Sequence, residues 1–152
     1  LPEGSFEFTI VGDGDEWLRD SIKRLNKKNL SYLGWVSNKE KLSNIYRSND
    51  ILLVPSQATN NWEELFGLVI VEAMSCGLTV LASNHVGPRS IIKHGHDGLI
   101  LDERDMDAWL RTLNELSMQR YRLSELKRCA VMSAEKYGLN IVSQKWKEVL
   151  MH

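Results

Sequence analysis

The chain is poor in the residues that build disulfide-rich or linker-rich proteins. It has only 2 Cys and 3 Pro in 152 residues. The cysteines, Cys76 and Cys129, are far apart and form no Cys-x-x-Cys pair, so a disulfide framework is not expected and a reducing cytoplasm fits the chain. No apolar run approaches the ~20 residues that a membrane-spanning helix needs. These absences argue against a small disulfide-stapled fold and against a membrane-spanning helix within residues 1–152.

The chain also lacks an excess of charge of either sign. The 19 Lys and Arg residues nearly balance 20 Asp and Glu, for a formal net charge of −1. The total therefore predicts neither a nucleic-acid surface nor a patch for anionic membranes. With 43% hydrophobic and 26% charged residues, the composition predicts one globular domain over residues 1–152. We see no signal peptide, and because a strand pattern starts at once, we expect the chain to begin inside a larger protein.

Short apolar runs alternate with helical patterns over the first hundred residues. The predicted strands are residues 6–11, 30–36, 50–54, 78–82 and 99–101. Helices are predicted after each of the first four, the last being a short helix or turn at residues 90–93. From residue 105 onward the pattern is helical only. This order predicts an α/β, Rossmann-like fold: a parallel sheet with helices on both faces, ending in a run of helices.

Ligands of such sheets bind at the carboxyl ends of the strands. Four loops are expected to line that rim: residues 12–15, 36–38, 55–67 and 83–89. Either Ser37 or Asn38 can cap the helix that follows the second loop. The helix after the third loop should end at Gly77, which suits a left-handed residue.

The segment at residues 55–77, PSQATNNWEELFGLVIVEAMSCG, carries two carboxylates, Glu64 and Glu72, in an E-x7-E spacing. Glu72 lies in an apolar helical run, and burying its charge would cost several kcal/mol (roughly) unless hydrogen-bond donors or a ligand hydroxyl satisfied it. The backbone N–H groups of Phe66, Gly67 and Leu68 fall where the helix begins, and a helix N-terminus favours phosphate. Alternatively, Glu64 only complements the helix dipole and Glu72 is a core carboxylate paired with Arg or Lys.

Gly12-Asp13-Gly14-Asp15 allows three interpretations: a loop that approaches phosphate, a divalent-metal site, or a turn with an N-cap. The third glycine of a dinucleotide fingerprint is absent, and two side chains are too few for a metal.

Several other polar and aromatic residues are predicted to have structural roles only. His94, His96 and Asp97 predict a solvated turn rather than a metal site. No acidic partner can be assigned to His85. Trp17, Trp109 and Trp146 lie on helical apolar stripes, which predicts core positions.

The run WEELFGLVIVEAMSCGLTVLAS, with TIVGDGDEWL and LSYLGWVSNKEKLSNIYRSNDILLVPS upstream, resembles the C-terminal half-domain of family-four GT-B glycosyltransferases. The resemblance covers nearly the whole chain. It implies that Glu72 accepts hydrogen bonds from ribose hydroxyls and that Glu64, taken as the catalytic residue, faces the sugar and diphosphate. The other residues it assigns to the donor site are Gly12, Gly14, Val36, Phe66, Gly67 and Leu68. Ser56 is also predicted in the donor site, as a hydrogen-bond donor near the phosphates, and the alternative is a turn hydroxyl.

The resemblance implies the donor-binding half of a retaining enzyme that moves a hexose from a nucleoside diphosphate sugar to a glycan or lipid-linked acceptor. No metal or other cofactor is expected, and no nucleic-acid partner. The full-length enzyme is expected to be cytoplasmic, with a peripheral position at the inner face of the membrane as the alternative. The alternative is a nucleotide-sugar-binding or regulatory module without transfer activity, or a fragment of an epimerase with the same architecture.

The chain departs from the family pattern in the loop after the fourth strand. Val86 stands beside a single Gly87 where two glycines are usual, and Ser90 replaces a Glu. The family's first strand and helix, with an Arg and a Lys that hold the diphosphate, and its N-terminal half would precede Leu1.

Overall fold

The computed structural model describes residues 4–59, 63 and 65–151. The chain divides into two compact units, Leu1–Asn44 and Ile45–His152. Each unit is built from parallel strands joined by helices, so the predicted α/β class is confirmed. The prediction of a single domain stays a prediction.

The first unit contains a two-stranded parallel sheet. Strands β1 (Phe8–Ile10) and β2 (Leu30–Tyr32) pair in parallel, and helix α1 (Glu16–Leu25) connects them. Asp15 starts α1, because its Oδ1 accepts the Leu18 N–H at 2.8 Å and so satisfies one unpaired donor of the first turn.

The second unit contains a three-stranded parallel sheet in the order β3-β4-β5. Its strands are β3 (Ile51–Val54), β4 (Thr79–Ser83) and β5 (Leu99–Leu101). Helix α2 (Lys39–Arg47) leads into β3, α3 (Leu68–Ser75) joins β3 to β4, and α4 (Val86–Ile91) joins β4 to β5. Every residue of β4 is buried. This explains why the sequence of this central strand does not alternate between apolar and charged residues.

The chain ends in helices, as predicted. They are α5 (Met106–Met118), α6 (Arg120–Ala134), a 3-10 turn (Glu135–Tyr137) and α7 (Leu139–Leu150). The main hydrophobic cluster joins α3, β4 and α6 through small and medium side chains: Ile70, Ala73, Met74, Val80, Ala82, Ala130 and Ala134. This packing fixes α3 on the sheet, and Gly77 ends that helix with a φ of 85°, as expected.

Some local predictions were wrong. The polar loop predicted at residues 83–89 is mostly helix α4, and β2 ends at Tyr32. Trp109 is a core residue, but the exposed fractions of Trp17 and Trp146 are 71% and 62%. Neither α1 nor α7 has a fully buried residue, so the apolar side of each helix is at most half-buried and does not form a core. Within the described part of the chain, no helix is long and apolar enough to cross a bilayer.

Candidate functional site

The N-terminus of α3 is the centre of the candidate site. Gly67 precedes the helix with φ 80° and ψ 61°, and no described side chain caps this end. A left-handed conformation is strained for residues with a Cβ, so a glycine is needed here. The Ile70 N–H bonds the Gly67 carbonyl at 2.9 Å, while the amides of Leu68 and Val69 have no acceptor within the helix. These amides and the helix dipole favour an anion at this end.

Glu72 lies on the exposed side of α3, so the prediction of a buried carboxylate was wrong. The helix buries Ile70, Ala73 and Met74, and at 100° per residue Glu72 falls on the opposite side. Among the described residues, no Lys or Arg forms an ion pair with Glu72, which also removes the core-pair alternative. An exposed carboxylate is accessible to a ligand hydroxyl.

Tyr46, near the end of α2, contacts this carboxylate. Its hydroxyl donates to Glu72 Oε2 at 3.3 Å. Burial, followed by the Glu72 charge, raises the pKa of the Tyr46 hydroxyl above its ordinary value. Tyr46 is therefore protonated at neutral pH and is a hydrogen-bond donor to the Glu72 carboxylate.

The remaining donor-site predictions of the second unit lie near the start of α3 or just after β3. Phe66 and Leu68 are exposed and flank Gly67, and Ser56 is half-buried two residues after β3. Glu64 lies outside the described residues, so its predicted role stays a prediction.

Three residues predicted for the donor site belong to the first unit and lie in the segments after its two strands. Gly12 has a φ of 137°, its N–H bonds the Gly34 carbonyl, and its own carbonyl accepts the Tyr32 hydroxyl at 3.1 Å. The Gly14 N–H donates to Asp13 Oδ1 at 2.9 Å, and Asp15 is the N-cap of α1. One of the three interpretations, the turn with an N-cap, is therefore present. Val36 is half-buried after β2.

Asn38, rather than Ser37, caps α2. Its Oδ1 accepts the Lys41 N–H at 2.8 Å. Both candidates were open from the sequence, since either residue type can fill this position.

The segment before α3 packs closely on the start of α4. Glu63 Oε1 accepts the Val86 N–H at 3.0 Å, which satisfies a donor at the N-terminus of α4. A Cβ built on Gly87 would lie 2.5 Å from Phe66 N and 2.6 Å from Leu65 C. Position 87 therefore has to be glycine for α4 to approach this backbone.

His85 has an acidic partner that the sequence did not reveal. Its Nε2 lies 2.5 Å from Glu103 Oε2, and that oxygen also accepts the Ala58 N–H at 3.0 Å. The hydrogen bond from His85, followed by the one from the Ala58 backbone, lowers the pKa of Glu103 from its ordinary value of 4.5. Glu103 is thus an anionic acceptor that joins two loops at the rim.

The His94-to-Asp97 turn is only partly solvated. His94 and His96 are exposed as predicted, but Asp97 is 2% exposed. Asp97 accepts the Lys93 N–H at 2.7 Å and the Ser133 hydroxyl at 2.6 Å, so it links the turn to α6. In the described ranges, no group of three or more His, Cys, Asp or Glu side chains could hold a metal ion.

Sequence reasoning missed Tyr46, Glu63 and Glu103. Only Glu103 had a usable signal, because it follows the final strand by two residues and so belongs to the rim. The partners of Tyr46 and Glu63 are 26 and 23 residues away in the chain, which no local pattern encodes.

Solved glycosyltransferases share this fold. The Anabaena protein HepE in complex with UDP matches with a TM-score of 0.81 and 22% identity, covering 96% of this chain and 41% of that chain. Sucrose-phosphate synthase from Thermosynechococcus elongatus matches with a TM-score of 0.80 and 19% identity, covering 94% and 37%. The architecture is that of the GT-B glycosyltransferases.

The family model for glycosyl transferases group 1 matches residues 3–136. The chain belongs to this family. It is 34% identical over 108 residues to a D-inositol 3-phosphate glycosyltransferase of Thermobispora bispora, covering 71% of this chain and 24% of the relative. It is 31% identical over 143 residues to the Escherichia coli UDP-Gal:alpha-D-GlcNAc-diphosphoundecaprenol alpha-1,3-galactosyltransferase, covering 90% and 34%. The chain therefore spans about a quarter to a third of these relatives.

The close packing at Gly87 predicts that a side chain at this position destabilises the fold. Gly87→Ala should lower the free energy of unfolding by about 1–3 kcal/mol, because the added methyl group must displace the backbone at Leu65 and Phe66. This loss should outweigh the better helix propensity of alanine, which is worth roughly 1 kcal/mol. Urea unfolding measures the change. Val86→Ala, at an exposed position of the same helix, is the control and should stay within about 0.5 kcal/mol; equal effects would contradict the close approach.

The lowered pKa of Glu103 predicts a pH-dependent stability. Since the pKa is lower in the folded state, the Glu103 contribution is present above the ordinary value of 4.5 and is lost as the pH falls through the folded-state value. The difference in unfolding free energy between wild type and Glu103→Gln should therefore shrink on acidification from pH 7. Glu115→Gln removes an exposed partner of Arg122 and should show little difference at any pH. A Glu103→Gln difference that stays constant with pH would contradict the assignment.

Proposed function

We propose that this chain binds a nucleoside diphosphate sugar as the donor half of a retaining glycosyltransferase, which transfers a hexose to a glycan or lipid-linked acceptor. The observation that carries the proposal is the start of α3, where Gly67 begins a helix end that no described side chain caps, on the same helix as an exposed carboxylate. Leu68 and Glu72 are four residues apart and share one face of the helix, about 6 Å apart along its axis. The diphosphate would lie at the helix end, and Glu72 would accept ribose hydroxyls.

The comparisons support this proposal by the ligands and reactions of similar proteins. One solved relative by fold holds UDP and another structure of the same protein holds UDP-glucose. The two curated relatives described above are named as glycosyltransferases, and the name of one of them includes UDP-Gal. The HepE structures and the Escherichia coli relative are thus each named with a uridine diphosphate or its sugar, a ligand whose diphosphate suits the helix N-terminus at α3.

In the proposed reaction, the protein acts mainly by positioning and by stabilising charge. Negative charge develops on the departing diphosphate, and the N-terminal amides of α3 would offset it. Glu64 is proposed to face the sugar and diphosphate, with Phe66 and Ser56 on the same side. Gly12, Gly14 and Val36 are proposed to belong to the donor side as well. We propose no covalent nucleophile in this chain.

We further propose that the full-length enzyme works in the cytoplasm, at the inner face of the membrane when its acceptor is lipid-linked. The Escherichia coli relative is named for a diphosphoundecaprenol-linked acceptor. Because the chain spans only 24–34% of the curated relatives, we expect residues 1–152 alone not to transfer sugar. Acceptor-dependent transfer by this chain would overturn that expectation.

The role of Glu72 gives the main test by mutation. Glu72→Gln in the full-length protein should weaken nucleotide binding by about 1–3 kcal/mol, the scale of a hydrogen bond to a charged group. Stability should change less, because Glu72 is exposed. Calorimetric titration and denaturant unfolding separate the two effects, with Glu125→Gln as a matched removal of charge. Unchanged affinity in Glu72→Gln would contradict the ribose contact.

Metal independence is a second proposal for the full-length enzyme. Asp13 Oδ1 accepts the Gly14 N–H and Asp15 Oδ1 accepts the Leu18 N–H, so both side chains have structural uses. Chelator treatment should leave transfer activity within about twofold, since the helix amides are proposed to offset the charge. Complete loss, restored by magnesium or manganese, would contradict the proposal.

A further inference from the structure

The loops after all three strands of the second unit meet at one glutamate. Parallel strands end at the same edge of a sheet, and here Ala58 follows β3, His85 follows β4 and Glu103 follows β5. Glu103 Oε2 accepts the Ala58 N–H at 3.0 Å and pairs with His85 Nε2. One carboxylate oxygen therefore ties the neighbouring loops to each other.

The His85 end of this link is shielded from water, whereas Ala58 is exposed. His85 is 3% exposed, and the Glu103 side chain is 15% exposed. Its other oxygen, Oε1, lies 3.8 Å from Arg104 Nε. A charged hydrogen bond that is shielded from water is stronger and more directional than one on the surface. Glu103 therefore restrains the His85 ring and the backbone of Ala58 together.

A short series of contacts leads from this link to the start of α3. His85 is the residue before α4, and the Val86 N–H that follows it donates to Glu63. Gly87 then lies against the backbone of Leu65 and Phe66, immediately before Gly67. The position of His85 therefore affects the start of α4, and the start of α4 contacts the segment that leads into α3.

We propose that Glu103 is a positioning residue for the donor site: by holding His85 and Ala58, it fixes the segment that presents the N-terminus of α3 to the donor diphosphate. This inference rests on the proposed function, because it assigns Glu103 an effect on the same site. Glu103 itself does not touch the donor.

The test compares three variants of the full-length protein. Glu103→Ala removes the link, Glu103→Gln keeps the side-chain volume and one acceptor oxygen, and Glu125→Ala removes an exposed glutamate of α6 as the control. Nucleoside diphosphates with different bases are titrated calorimetrically into each folded protein. Hydrogen exchange is followed in peptides covering residues 55–59 and 65–70.

We expect Glu103→Ala to bind the preferred nucleoside diphosphate about tenfold more weakly, Glu103→Gln to recover part of that loss, and Glu125→Ala to match wild type. Exchange should accelerate in both rim peptides of Glu103→Ala. If Glu103→Ala does not fold, a severalfold loss in folded Glu103→Gln with faster exchange supports the same inference. Wild-type affinity in a folded Glu103 variant would overturn it, even with a lowered melting temperature. Failure of wild type to bind any nucleoside diphosphate would overturn the proposed function as well.

Discussion

The close approach of Gly87 to the backbone of Leu65 and Phe66 is the constraint on which the candidate site depends. No side chain fits between these segments, because a Cβ at position 87 would lie within 2.8 Å of three backbone atoms. The approach brings the start of α4 against the residues that lead into α3. Gly67 then turns the chain in the left-handed conformation, so two glycines together determine where the amides of α3 point.

Three carboxylates lie near this arrangement, and they differ in what they bond and in how exposed they are. Glu63 and Glu103 accept backbone N–H groups from neighbouring segments, which satisfies donors that the loops leave unpaired. Glu72 is exposed and receives only the Tyr46 hydroxyl from the described residues. The site therefore combines two structural carboxylates with one that remains accessible to a ligand. This division leaves an exposed carboxylate on the same helix as the end at which we propose that the diphosphate binds.

Much of the fold could be predicted from the sequence because its signals are local. The apolar run at β4, the N-cap at Asp15 and Gly77 each act over a few residues, and the structure has all three features. The start of α3 at Gly67 was predicted for the same reason. The exposure of Glu72 was missed because the apolar residues around it suggested a helix buried on all sides, whereas α3 buries one face. The His85–Glu103 pair joins residues 18 apart across two strands, and such a pairing follows from the sheet order rather than from any local pattern.

The central claim is that the N-terminal amides of α3 receive the diphosphate of a nucleotide. Nuclear magnetic resonance of the full-length protein, labelled with nitrogen-15 in leucine and valine, can follow the Leu68 and Val69 amides during titration with nucleoside diphosphates. The account predicts saturable shifts of both resonances with at least one diphosphate and much smaller shifts with the matching nucleoside. Saturable binding that leaves Leu68 and Val69 unchanged, or no binding of any nucleoside diphosphate, would contradict it.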